Sequence, residues 1–443
     1  MIIVSFIVIL IQVVDVTAGQ LGFFKYNDRD SLDNMIFYSV ILMASMFIQV
    51  YFLKTTTRIV FKIKKATSRS ALLIAYVYVM IQILVIILVV YLLGEQLVTS
   101  TYHIILVRLI VGLSLLISVF IMASLAFKCV KTYLSTRSKI AGLYGFAVIA
   151  LSLQLVSAFF YVEASLFDKP QYITPQRNPW ASYYSTGLST KLFSLYDTIK
   201  SISFVAVWTA SILLTKSYVQ KIGRIKYWIT VSIPLVYFLF QYSPILLDQM
   251  GILNSVLLAN GSIFPNLFNF ILNTVNVGTG ILFGISFFIL SRALNYEHLK
   301  FYLIICGAGI MIIFSSNVST ILVLSVFPAW AVVSMSFVLS ASFLILIGLD
   351  SATVYVAGDT RVRSYLSRNK SQFQLFKAFA SAKASSEAEQ KIKKIIEQIR
   401  NNMETEPLFS PKSESEDIKQ YVGEVIAELK KAGNMPDSKK SDN

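Results

Sequence analysis

Nine stretches of about 20 apolar residues leave this chain few ways to fold; they lie at 35–53, 71–93, 104–127, 140–162, 197–215, 227–247, 267–290, 301–324 and 329–349. A run of about that length is what an α-helix needs to cross the hydrocarbon core of a bilayer. Lipid offers no partner to backbone N–H and C=O groups, so each run has to satisfy its own, which a helix does. Composition agrees: 56% of the residues are hydrophobic and 14% are charged, where a soluble domain carries about 25% charged residues. The fold expected is all-α, a polytopic helical transmembrane bundle of nine spans.

The net charge of +15 resembles a nucleic-acid signal until the charges are placed. Loops 54–70, 128–139, 216–226 and 291–300 carry 16 Lys and Arg against one acid, Glu297; the alternate set carries five cations, Lys25, Arg29, Lys169, Arg177 and Lys191. Cations concentrate on the cytoplasmic side of membrane proteins. This pattern puts loop 54–70 and the C-terminus in the cytoplasm of a plasma-membrane protein, and residues 19–34 outside. The sequon Asn260-Gly261-Ser262 then falls on an outer loop. The basic residues are thus topological and point to membrane lipids, not to nucleic acid.

Residues 1–18 are apolar from Ile2 to Val14, then reach Asp15 and the small residues Val16 and Ala18. A run of 13 residues is short for a span and suits a signal peptide. A positively charged n-region is absent, which leaves a first, tenth span as the alternative. The domain plan is therefore 1–18 signal peptide or first span, 19–34 outer segment, 35–349 membrane domain, 350–386 basic juxtamembrane segment and 387–443 cytoplasmic tail.

Polar residues inside the spans are the candidate site. Asn266, Asn269, Asn273 and Asn276 fall within an arc of roughly 80° at ~100° per residue, with Gly280 and Gly284 on the same arc. Ser315, Ser316 and Asn317, Gln241 and Ser243, Ser201 and Ser203, and Gln154 and Ser157 also fall in outer halves. Two readings stand. The amides and hydroxyls are interhelical glue, with Gly280 and Gly284 letting a neighbouring helix approach, or they line a polar vestibule open to the outside. Ionisable residues in spans often mark function. Arg108, Asp197 and Lys200 join Gln241, Asn269, Asn273, Asn276 and Asn317 as ligand-binding candidates. No acid lies at the middle of any of the nine spans. Loop 163–196, with three prolines and Tyr172, Trp180, Tyr183 and Tyr184, is either an interfacial anchor or a lid.

The tail differs in character. Residues 350–383 interleave Arg361, Arg363, Arg368, Lys370 and Lys377 with Tyr365, Phe373, Phe376 and Phe379, as an amphipathic helix on an anionic leaflet would. Ile392, Ile396 and Ile399, then Ile418, Val422, Val425 and Leu429, recur at heptad-like spacing. Two such short helices can pair with each other or with a cytoplasmic protein partner.

The chain has no P-loop, GxSxG, HExxH or CxxC motif, so no catalytic residue is assigned. Two cysteines and two histidines give no disulfide framework and no zinc or haem set, so neither metal nor cofactor is expected. The segments GILFGISFFILSR, FYLIICGAGIMIIFSSN and SMSFVLSASFLILIGLDSATVYVAGDTRVRSYL lie between Gly280 and Leu366. They resemble polytopic membrane proteins of ammonia-oxidising archaea. That resemblance implies no activity and assigns no residue a role. The sequence points to a non-enzymatic sensor or docking protein with an outward polar vestibule and a partner-binding tail. The alternative is a transporter or channel for a small neutral polar solute.

Overall fold

The computed structural model describes residues 2–21, 30–63, 69–167, 171–173, 187–216, 223–240, 280–281, 283–292, 294, 296–317, 329–358, 362, 378, 381–383 and 392–397. Ten helices of eight or more residues occur among them: α1 (Ile2–Leu21), α2 (Asp30–Ile63), α3 (Arg69–Thr99), α4 (Ile104–Thr136), α5 (Lys139–Phe167), α6 (Gly187–Thr215), α7 (Arg224–Phe240), α8 (Phe283–Arg292), α9 (Glu297–Asn317) and α10 (Val332–Gly358). Strands β1 (Tyr102–His103) and β2 (Tyr172–Ile173) form one short antiparallel pair. The chain divides into two compact units, Met1–Ala384 and Ser385–Asn443. In the second, residues 392–397 form a short helix on which Ile392 and Ile396 are half-buried.

Among the described residues, six helices are long and apolar enough to cross a membrane: Met35–Arg58, Leu73–Thr99, Ile104–Thr136, Ala141–Phe167, Glu297–Ser316 and Val332–Val356. They correspond to six of the nine expected spans. Of the other three, 197–215 lies in α6 and most of 227–247 in α7, both helical. Most of 267–290 lies outside the described residues, which include its end in α8. Helix is thus present in eight of the nine expected stretches and at the end of the ninth, and six of these helices are span-like among the described residues. Residues 2–18, read as signal peptide or first span, belong to α1, which packs on α2, α9 and α10.

The bundle is built around α10. Every residue of its most apolar window is buried, and it packs against α1, α2, α3, α4 and α9. A helix enclosed on all sides needs apolar or small residues all round, and α10 has them: between Val332 and Ala352 its only side chains beyond aliphatics, Phe and Met are Ala, Ser, Gly and Asp350. The outer helices show the opposite pattern. Ile36, Val40, Phe47 and Val50 on α2, and Leu73, Met80, Ile87 and Tyr91 on α3, are exposed, while Gln49 and Gln82 are buried. Apolar outside and amide inside is the arrangement that a lipid solvent selects.

Glycine sets the closest contacts. A Cβ on Gly348 would lie 2.8 Å from the Cys306 backbone N and 2.9 Å from the Tyr302 O, so α9 and α10 touch backbone to backbone there. Gly284 of α8 meets α9 in the same way, with a Cβ placed 2.7 Å from the Gly307 O. The close approach expected at Gly280 and Gly284 is thus present, and α9 is the neighbour. Helices α4 and α5 are joined by Arg137 and Ser138 alone. Arg137 adopts a left-handed conformation (φ 52°) and its N–H bonds the Tyr133 carbonyl at 2.7 Å, which ends α4 and turns the chain back.

Helix ends meet in a consistent pattern. At one end of the bundle, β1 pairs with β2, Arg108 of α4 bonds Glu163 of α5, and the Tyr38 hydroxyl of α2 donates to the Ala329 carbonyl just before α10. At the other, Lys128 of α4 bonds Asp350 of α10 at 2.7 Å. Loops 94–103 and 163–196, both expected on the outer side from charge, are thus joined through β1 and β2.

Backbone contact at Gly348 gives a direct test. Gly348→Ala pushes α9 from α10 and lowers the stability of the detergent-solubilised protein by about 1–3 kcal/mol. Gly94→Ala, at a helical position with open space around it, leaves the thermal midpoint unchanged or raises it, because alanine favours helix by up to ~1 kcal/mol. Parallel melting curves of the two variants check both outcomes.

Candidate functional site

Two clusters of buried polar side chains meet α10. Its N-terminus is the first cluster. Asp15 of α1 is fully buried. Its Oδ1 accepts from the Ala331 N–H (3.2 Å), and its Oδ2 accepts from the Ser334 N–H (3.3 Å) and hydroxyl (2.7 Å). The first N–H groups of any helix lack intrahelical partners, and a carboxylate there also faces the positive end of the helix dipole. Asp15 thus caps α10 from another helix. Ala331, at the junction, has a φ of 71°, a conformation that costs a non-glycine residue of order 1 kcal/mol. The aromatic rings of Phe37 and Tyr38 pack on Trp330 at 6.4 and 5.0 Å. Tyr102 in β1 is also buried, and burial pushes its phenol well above the usual tyrosine range.

One turn back along α1, Gln12 ties α1 to α9. Its Nε2 donates to Ser316 Oγ at 2.7 Å, and Ser315 Oγ donates to its Oε1. Gln12 and Asp15 stand at i and i+3, on one helix face, so a single face of α1 holds both α9 and α10.

The second cluster crosses the middle of the bundle. Tyr78 of α3 lies 3.2 Å from Ser340 Oγ, which donates to Gln82 Oε1 at 3.1 Å. Gln82 Nε2 donates to Gln49 Oε1 at 3.0 Å, and Gln49 Nε2 donates to Ser336 Oγ at 2.6 Å. Ser336 then donates to the Val333 carbonyl at 2.6 Å. Each serine has one proton, so the order is set: Tyr78 to Ser340, Gln82, Gln49, Ser336 and Val333. This directed chain joins α2, α3 and α10, and its five side chains are all buried. Tyr78 also stacks on Phe343 of α10 at 4.1 Å.

The residues chosen from sequence fare differently. Arg108 donates through Nη2 (2.7 Å) and Nε (3.1 Å) to Glu163 Oε2, and its guanidinium lies 5.8 Å from the Phe167 ring centre. Lys200, nearly buried, reaches Asp197 Oδ1 at 3.3 Å on its own helix. These charges are engaged in two separate pairs and do not form one cluster. Gln241, Asn269, Asn273 and Asn276 lie outside the described residues, as does the side chain of Asn317 at the end of α9. So do Ile399, Ile418, Val422, Val425 and Leu429. Ser315 and Ser316 serve as glue, through Gln12. On α5 and α6, Gln154 Oε1 and Ser203 Oγ are buried without a hydrogen-bond partner.

Sequence reasoning passed over Gln12, Asp15, Gln49, Gln82 and Tyr78. The signal was present: an acid and three glutamines inside apolar helices are costly unless paired. Asp15 was obscured because it follows an apolar run of signal-peptide length. Among the described residues no group of His, Cys, Asp and Glu is arranged to hold a metal ion. Comparison with protein-family models, with curated proteins and with solved structures returns no match for this chain.

Breaking the chain at its centre tests its weight. Gln82→Leu leaves the Gln49 carbonyl and the Ser340 hydroxyl short of a partner and lowers stability by about 1–2 kcal/mol. In a double-mutant cycle with Gln49→Leu, the two losses are less than additive by about 0.6–1.7 kcal/mol, the range for interhelical hydrogen bonds in membranes. Unfolding titrations in mixed micelles measure the cycle.

Proposed function

We propose that this chain is a non-enzymatic sensor or docking protein of the plasma membrane, in which helix α10 conveys an event at the outer end of the bundle to the cytoplasmic tail. One observation carries the reading: α10 is enclosed by five helices and held by a charged side chain near each end, Asp15 at Ala331 and Ser334 and Lys128 at Asp350. Past Gly358 the sequence runs into the basic segment to 386 and the tail 387–443. A rod fixed at both ends is suited to pass on a displacement. The inner tie is partly exposed, 30% for Lys128 and 18% for Asp350. Solvent screening holds such a pair to about 1 kcal/mol or less, weak enough to exchange.

The orientation proposed follows the charge alternation, with Lys128 and Asp350 on the cytoplasmic side. The outward polar vestibule is proposed from the outer-half polar residues of the sequence; of these, Gln154 and Ser203 are buried with a free polar atom and have hydrogen-bonding capacity left for a solute once the helices part. The same two groups are what a transporter or channel for a small neutral solute would use. The likeness to archaeal membrane proteins adds no activity. Because α1 supplies the cap of α10 and the amide that holds α9, we also infer that residues 1–18 are retained as a first span.

A pull-down from solubilised membranes tests the docking reading, comparing the full chain with one ending at Ser386. A cytoplasmic partner recovered by the full chain alone is the expected result. Equal recovery from both, or uptake of small solutes into liposomes by the shortened chain, overturns docking in favour of transport. Intact-mass measurement of the protein from native membranes shows residues 1–18 present; a mass short by that segment would show that α1 is removed.

A further inference from the structure

Among the described residues Asp15 is the one buried acid, and its hydrogen bonds all go to the start of a single helix. Its partners are the Ala331 N–H, the Ser334 N–H and the Ser334 hydroxyl. Each of the elements near it supplies only neutral groups among the described residues. Helix α2 contributes Tyr38, whose hydroxyl donates to the Ala329 carbonyl rather than to Asp15. Helix α9 contributes Ser315 and Ser316, which bond Gln12 rather than Asp15. Helix α10 contributes Ser334 and backbone. No Lys, Arg or His among the described residues forms an ion pair with Asp15.

We propose that Asp15 is a proton-operated latch on α10, closed as the carboxylate and opened by protonation from the outer side. The proposal rests on the reading of α10 as the transmitting helix. A proton is the one species that changes the charge of this group without a new partner. As a carboxylate, Asp15 makes charge-assisted bonds, which are about twice as strong as neutral ones. As an acid, it keeps its carbonyl oxygen as a neutral acceptor and gains an O–H that the Ser334 hydroxyl can accept but the two N–H groups of α10 cannot. The sign is therefore fixed: the cap is tight at high pH and loosens as pH falls. Strain at Ala331 acts in the same direction, because a positive φ persists only while its surroundings impose it. Opening frees α10 at the end remote from Asp350, while Gln12 still holds α1 to α9.

The experiment is amide hydrogen exchange on the full chain in lipid nanodiscs, corrected for the intrinsic pH dependence of exchange. Between about pH 7.5 and about pH 3.5, a range that crosses the ordinary aspartate value of ~3.9, protection of the Ala331–Ser334 amides falls about tenfold, and protection at the Lys128–Asp350 end does not change. Asp15→Asn shows the low protection at every pH. Gln12→Ala weakens the α1–α9 contact yet keeps the pH response. Uniform protection across pH in the wild-type chain overturns the latch, as does a pH response that survives in Asp15→Asn or disappears in Gln12→Ala. If Asp15→Asn does not fold, the wild-type and Gln12→Ala measurements still decide. This readout uses neither tail nor partner, so a negative pull-down with an intact pH response removes the docking reading and leaves the latch.

Discussion

Lipid cannot hydrogen-bond, and most of this structure follows from that constraint. Each amide or hydroxyl carried into the bundle has to find a partner there or remain at a cost of about 1–3 kcal/mol. The helices meet the requirement by directing polar side chains toward α10 and apolar ones outward. Gln49 and Gln82 are buried while Phe47 and Met80, on the same helices, are exposed. The chain from Tyr78 to the Val333 carbonyl uses each serine proton once. A rotation of α2 or α3 about its own axis would break it, so the network specifies orientation as well as adding stability.

Close packing does the rest. Without a hydrophobic driving force between helices in lipid, association depends on backbone approach and dispersion. Gly348, Gly284 and Gly307 bring α8, α9 and α10 to backbone contact. The ionic contacts lie at the ends, where Arg108 meets Glu163 and Lys128 meets Asp350. Charge is least costly there, and these ties are the easiest to exchange. A bundle with a firm middle and exchangeable ends is a reasonable frame for an element that shifts as a unit, which is the basis on which α10 is read as a transmitter.

Much of the fold was legible in the residues. Six spans are recognisable as apolar runs of bilayer length, because hydropathy over 20 residues is a property of the segment alone. The glue reading of Ser315 and Ser316, and the close approach at Gly280 and Gly284, also follow from local composition. Partners do not. Nothing in the order of residues says that Gln12 meets Ser316, 304 positions away, or that Gln49 meets Gln82. Arg108 and Lys200 look like ligand contacts in sequence, yet each is engaged by an acid, one from a neighbouring helix and one from its own. Asp15 lay at the edge of a segment that resembles a signal peptide, and only its position against α10 reveals a cap.

The sequence by itself determined the class of protein and the alternation of its loops, because length, hydropathy and charge act locally on each segment in lipid. Tertiary structure decided which helix is central, which polar groups are spent on packing and which acid holds which end. Those are pairings between distant residues. They depend on the rotation and register of helices that are nearly equivalent in apolar content, and the choice among them is made only when polar groups and glycines meet across the bundle.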